Sequence, residues 1–187
     1  MPVWLTEHEF EVLRAACAQM LPSGDGIPGA EEAGVADYID ILLGAFTFDP
    51  PRIWAGGPTS GRAGGAARFD HFHSLSALDE LAWRMRIEGS QGLSAREFNG
   101  PVVGLQETYR SGLAALGDDF AQLSGEEQDR RLRANEEFLE LIHEHACEGM
   151  YGAPEYGGNR DLVGWNYIGF AGDVQPRGYT DEEVSQP

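Results

Sequence analysis

Two clusters hold most of the side chains able to do chemistry. Asp70, His71 and His73 pack three potential metal ligands into the stretch DHFH, but a metal site draws further ligands from elsewhere and no matching Cys or His cluster accompanies them. His143, Glu144, His145, Cys147 and Glu148 crowd the end of a helical pattern. Residues two apart on a helix diverge, so His143 and His145 cannot grip one ion, whereas His143 and Cys147, four apart, share a face. Glu140-x-x-His143 is half of a di-iron carboxylate pattern whose second Glu-x-x-His is missing. Imidazoles near a helix C-terminus are accounted for by its dipole. A metalloprotein or enzyme built on His71, His73, His143 and His145 is kept as the alternative reading. Gly24-x-Gly26-x-x-Gly29 has the letters of a dinucleotide fingerprint but follows a helix, not a strand, and GGPTSGRAGG lacks the Gly-Lys-Ser/Thr of a phosphate cradle. No G-x-S-x-G elbow is present. Cys17 and Cys147 belong to no C-x-x-C pattern; they are either one disulfide or two buried thiols. No catalytic, cofactor-binding or metal-ligating residue is therefore assigned in this chain.

The elements that carry these residues read as helices. Thr6 and Glu9 form a capping box before an apolar face of Phe10, Val12, Leu13, Ala16, Cys17, Met20 and Leu21, which predicts a helix over 7–21 stopped by Pro22. Further helices are predicted over 30–43, over 75–86 with Leu75, Leu78, Leu81, Ala82 and Met85 inward, over 101–116 with Pro101 in the first turn, and over 125–148 behind a second capping box, Ser124 and Glu127. Leu132, Phe138, Leu139, Ile142 and Ala146 give the last of these its buried face, and Gly149 is expected to end it. Phe46–Arg68 reads as a long surface loop, with Trp54 and Phe48 as secondary contact residues. Only 162–168 alternates at all like a strand. The fold class is all-α, a single domain of about five helices with long irregular loops. It divides into a helical body over 6–148, a Gly/aromatic segment over 149–172 and a polar tail over 173–187.

The formal net charge is −18, the pI is near 4.4, and all 13 basic residues are arginines. Nucleic acid and anionic lipid both require a basic patch, so both are disfavoured as partners. No run approaches the length of a membrane span and the opening MPVWLTEHEF has no signal features. A cytoplasmic location is expected, or a periplasmic one had a leader been removed.

One stretch fits neither a regular helix nor a linker. GMYGAPEYGGNRDLVGWNYIGFAG, 149–172, is interrupted by glycines and Pro154 yet carries Met150, Tyr151, Tyr156, Trp165, Tyr167, Ile168 and Phe170, area that must be buried somewhere. Trp165 and Ile168 are expected to turn into the chain's own helices, and Tyr151, Tyr156 and Arg160 toward a partner.

This stretch resembles the C-terminal pattern of the gluconate 2-dehydrogenase subunit 3 family. The likeness falls on Glu148, Gly149, Tyr151, Pro154 through Asn159, Gly164, Trp165, Ile168, Gly169 and Phe170, with Tyr151 one place later than the family's usual aromatic. The opening helix, its L-x-P turn, the PGAEEAGV segment and Leu123, Ser124, Glu127 and Gln128 are similar too; about 47–101 is the least diagnostic part. The resemblance implies an accessory small subunit without a cofactor of its own. It would bind and mature a catalytic FAD-binding large subunit of the glucose–methanol–choline (GMC) oxidoreductase type that oxidises a sugar, sugar acid or related alcohol. Tyr151, Pro154, Tyr156, Asn159, Arg160, Trp165, Tyr167, Phe170 and Trp54 are then the expected partner-interface residues.

Overall fold

A computed structural model describes residues 1–53 and 75–171. Among these residues there are eight α-helices and no strand: α1 Glu7–Met20, α2 Ala30–Ala33, α3 Val35–Leu43, α4 Ala77–Ile87, α5 Leu105–Leu116, α6 Gly125–Ala134, α7 Glu136–Tyr151 and α8 Val163–Ile168. The all-α class holds and the count of five does not. The 30–43 and 125–148 helices each divide in two, and the loosely alternating 162–168 stretch is helical.

Each division has a local cause. Gly34 takes a left-handed conformation (φ 70°) that caps α2 and starts α3 in a new direction. An L-side chain would be strained there, and its Cβ would also lie 2.9 Å from the Arg160 guanidinium. Asn135 leaves helical geometry (φ −118°, ψ 59°), and its Nδ2 donates to the Arg131 carbonyl (2.9 Å), satisfying a group left open by the end of α6. The first turn of α1 is built as its sequence predicts: Thr6 Oγ1 accepts the Glu9 amide and Glu9 Oε2 accepts the Thr6 amide. Such a cap is worth about 1 kcal/mol.

α5 begins at Leu105, not at Pro101, because residues before it are held extended against another segment. The Val102 amide donates to Ser90 Oγ (3.0 Å) and the Ser90 amide to the Val102 carbonyl (2.9 Å). α4 also departs from its expected face. Leu78 and Ala82 are exposed, while Ile87 is buried and Trp83, one turn earlier, packs with it against Ala45, Ile53, Phe46 and Leu105.

The main core lies where α1, α3, α5 and α7 meet. Leu13, Ala16, Cys17, Ile39, Tyr109, Leu116, Ile142 and Ala146 are all essentially inaccessible. A fully buried Leu or Ile contributes about 1.5–3 kcal/mol, so this cluster dominates stability and fixes the direction in which α7 delivers the chain to 149–171. Asp40 is a second organiser. It is buried, and its carboxylate accepts the backbone amides of Val3, Trp4 (3.0 Å) and Leu5 (2.8 Å), tying the N-terminal residues to α3. No helix among the described residues is long and apolar enough to cross a membrane.

Candidate functional site

The segment after α7 is built by close backbone approach around one side chain. α7 does not stop at Gly149; it continues to Tyr151, because Gly149 serves packing, not termination. A Cβ there would meet the Tyr38 ring at 3.0 Å. Gly152 closes the helix, its amide donating to the Glu148 carbonyl (2.7 Å). A 3-10 turn over Pro154–Tyr156 then reverses the chain.

At Gly158 the backbone crosses Gly149 so tightly that a Cβ would sit 2.2 Å from the Gly149 oxygen. At Gly164 one would sit 2.0 Å from the Met150 oxygen. Between them lies Asn159, fully buried and left-handed (φ 45°), a region Asn tolerates better than most residues. Its amide donates to the Gly149 carbonyl (2.7 Å) and its Nδ2 to the Gly152 carbonyl (3.0 Å). Its Oδ1 accepts the amides of Gly164 (3.0 Å) and Trp165 (3.4 Å), the open donors at the start of α8. Trp165 is buried beside it and donates its indole N–H to the Tyr151 carbonyl (2.7 Å), while Phe170 packs edge-on against it at 4.9 Å. The result is a closed clasp on the end of α7.

The sequence-predicted residues therefore separate into two sets. Asn159 and Trp165 turn inward and spend their hydrogen bonds within the chain. Tyr151, Tyr167 and Phe170 are 40%, 49% and 45% exposed. Ile168, expected inward with Trp165, is instead 54% exposed. α8 is a single short helix whose first turn, Val163 to Trp165, packs on the body, and Ile168, its last residue, lies beyond that contact. Pro154 and Tyr156 are half-buried. Arg160 reaches back across the fold to Asp37, Nη2 to Oδ2 2.7 Å, with both side chains half exposed; a pair so hydrated is worth about 0.2–1 kcal/mol. Trp54 lies outside the described residues. Phe48, its companion, is half-buried beneath the Arg52 guanidinium, 4.4 Å from the ring centre.

The histidines go separate ways. His71 and His73 lie outside the described residues. His143 is exposed, its Nε2 3.8 Å from Cys147 Sγ, the shared helical face that their spacing predicts. His145 is wholly buried; its Nδ1 hydrogen-bonds the Tyr109 hydroxyl at 2.8 Å, its ring stacks on Tyr109, and its Nε2 has no partner. Burial holds the imidazole below its ordinary pKa, so it is neutral at pH 7, and burial likewise raises the Tyr109 hydroxyl. Tyr38 donates to Glu148 Oε2 (2.6 Å); burial first and this bond second push its pKa up.

Among the described residues no group of three or more His, Cys, Asp or Glu is arranged to hold a metal ion. Cys17 and Cys147 are both free. Burial pushes the Cys17 thiol up to about 12, which leaves it protonated and unreactive at neutral pH. It lines a cleft of about 230 Å³ between α1 and the α2–α3 junction, with Arg160 on one wall. The Gly24–Gly29 turn follows α1 and is closed by reciprocal bonds between Gly24 and Ile27, a hairpin-like turn without the strand that a dinucleotide cradle needs.

Residues 7–172 match the family profile described as gluconate 2-dehydrogenase subunit 3, which covers most of the chain. No curated protein and no solved structure matches it.

Proposed function

Because this chain belongs to the gluconate 2-dehydrogenase subunit 3 family, a subunit of a dehydrogenase complex, we propose that it is the noncatalytic small subunit that binds, stabilises and matures an FAD-dependent catalytic subunit of the GMC type. The substrate class is a sugar, sugar acid or related alcohol, and the FAD and the reacting carbon belong to the large subunit. One observation supports this reading above the others. The family-like segment spends its polar groups on its own backbone around Asn159 and leaves aromatic and aliphatic area outside, the composition of a contact surface.

Co-expression with the flavoprotein and purification through a tag on this chain tests the proposal. A yellow complex containing stoichiometric FAD is expected; a colourless monomer recovered without the flavoprotein counts against it. The alternative, a histidine-dependent metalloprotein, finds no support in His143 and His145, which engage Cys147 and Tyr109 respectively. Metal analysis of the purified chain separates the two readings, since a stoichiometric transition metal would favour the second.

A further inference from the structure

The clasp holds Trp165 and Asn159 so firmly that the neighbouring side chains stand outward on a fixed base, and they do not stand alone. The 23–28 turn, far away in sequence, lies beside α8, where Gly24, Ile27, Pro28 and Glu32 share a groove with Val163, Asn166 and Tyr167. Ile27 is 48% exposed. The turn is pinned at both ends, by the Gly24–Ile27 pair of backbone bonds and by the Ala30 amide donating to the Leu21 carbonyl (2.8 Å). Residues 162–171 carry no charged side chain, in a chain where 24% of residues are charged. Around this neutral surface stand three acids, Asp25 in the turn, Glu32 in the groove and Asp161 just before α8, while the neighbouring cation, Arg160, is paired to Asp37.

We infer that α8 and the 23–28 turn form one docking face for the catalytic subunit, centred on Tyr167 and Ile27 of the shared groove with the exposed Ile168 next to Tyr167 at the end of α8, and that it takes an apolar surface edged by basic side chains. This rests on the subunit reading above and adds to it the face that is used, including a turn that nothing in the C-terminal segment announces. The acidic rim decides among occupants. A second copy of the chain would bring two like-charged rims together, each on a molecule of net charge −18. Residues 172–187 contain four acids and one arginine, so they too are repelled by the rim. Anionic lipid is disfavoured for the same reason. A partner with an apolar centre and a basic edge satisfies both the neutral patch and its surround.

The experiment combines binding with side-chain footprinting on the full chain and the co-expressed flavoprotein. Ile27→Asp and Ile168→Asp alter exposed side chains, so thermal melting should match the unsubstituted chain. Each is expected to weaken binding by about tenfold or more, as expected for a contact near the centre of an interface. Phe98→Ser, exposed on the loop between α4 and α5, should bind within about twofold, as expected for a residue outside the contact. Hydroxyl-radical labelling of Tyr167, Ile168 and Ile27 should fall only when the flavoprotein is added. If the unsubstituted chain binds no flavoprotein, the subunit reading fails. If it binds and both variants bind equally well, that reading stands and this face is wrong. Protection that rises with concentration of the chain alone would identify a second copy as the occupant. Protection already present at every concentration would identify residues 172–187. Either result overturns the proposal.

Discussion

Asn159 engages all of its polar groups inside the chain, so its replacement should act on folding before it acts on any partner. Asn159→Ala removes the acceptor for two amides at the start of α8 and the donor to Gly152, and puts a β-carbon without local hydrogen bonds into a left-handed conformation. A loss of about 2–4 kcal/mol is expected from several buried hydrogen bonds broken together, read as a lower midpoint in urea or thermal melts. A variant that melted normally but bound the flavoprotein poorly would instead make Asn159 a contact residue. His145 gives a second prediction with a defined sign. Its folded-state pKa is depressed below 6.5 by burial, so between that lower value and 6.5 the unfolded chain binds more protons than the folded one. The stabilising contribution is complete above about pH 6.5, the unfolded value, and is lost as pH falls toward the folded pKa. Glu144 and Glu148 on α7 oppose the shift, Arg86 on α4 reinforces it, and Tyr109 on α5 holds the ring. Unfolding free energies measured across this range should fall with acidification more steeply in the unsubstituted chain than in His145→Phe. That variant should also lose about 1–3 kcal/mol throughout because the Tyr109 hydroxyl is left buried without its partner.

The clasp as an element depends on backbone crossings that no side chain fits. Gly158→Ala and Gly164→Ala each place a methyl about 2 Å from a carbonyl oxygen, far inside contact distance. Each should cost about 3 kcal/mol or more, as overpacking against rigid backbone does, and should expose Trp165, which intrinsic fluorescence would report as a red shift. Gly24→Ala is the matched control: nothing lies within 4 Å of its added carbon, and a change of under about 0.5 kcal/mol is expected. Equal effects at Gly24 and Gly158 would show that composition, not close approach, explains the glycines. Much of this element was legible in advance: its glycines, its aromatics and its likeness to the family all lie in one contiguous stretch. That Trp165 is buried while Ile168 is exposed was not legible. Three residues apart on a helix of six, they stand near one face by local spacing, and they differ in how far along α8 the body reaches.

For the whole molecule, the net charge of −18 governs how a partner approaches. A partner edged by basic groups should associate faster at low salt, and raising ionic strength should lower kon by tenfold or so while changing koff little, since rim charges steer encounter more than they hold the complex. Stopped-flow or surface-binding kinetics at several salt concentrations would check this; a salt-independent kon would remove charge steering from the account. The sequence alone determined what short-range physics encodes. The Thr6–Glu9 cap, the helical period through α1 and α7, the divergence of His143 from His145 and the acidic surface each depend on residues within one or two turns, or on composition. Only the tertiary structure decided that Asp40 captures the amides of residues 3–5, that Tyr109 meets His145, that Arg160 lies over Gly34 and pairs with Asp37, and that the 23–28 turn lies beside α8. The hydrogen-bonded groups in these contacts are 35 to 123 residues apart. Local propensity carries no record of such separations. They are fixed when the apolar faces of α1, α3, α5 and α7 close on one another and leave each polar group a single place to go.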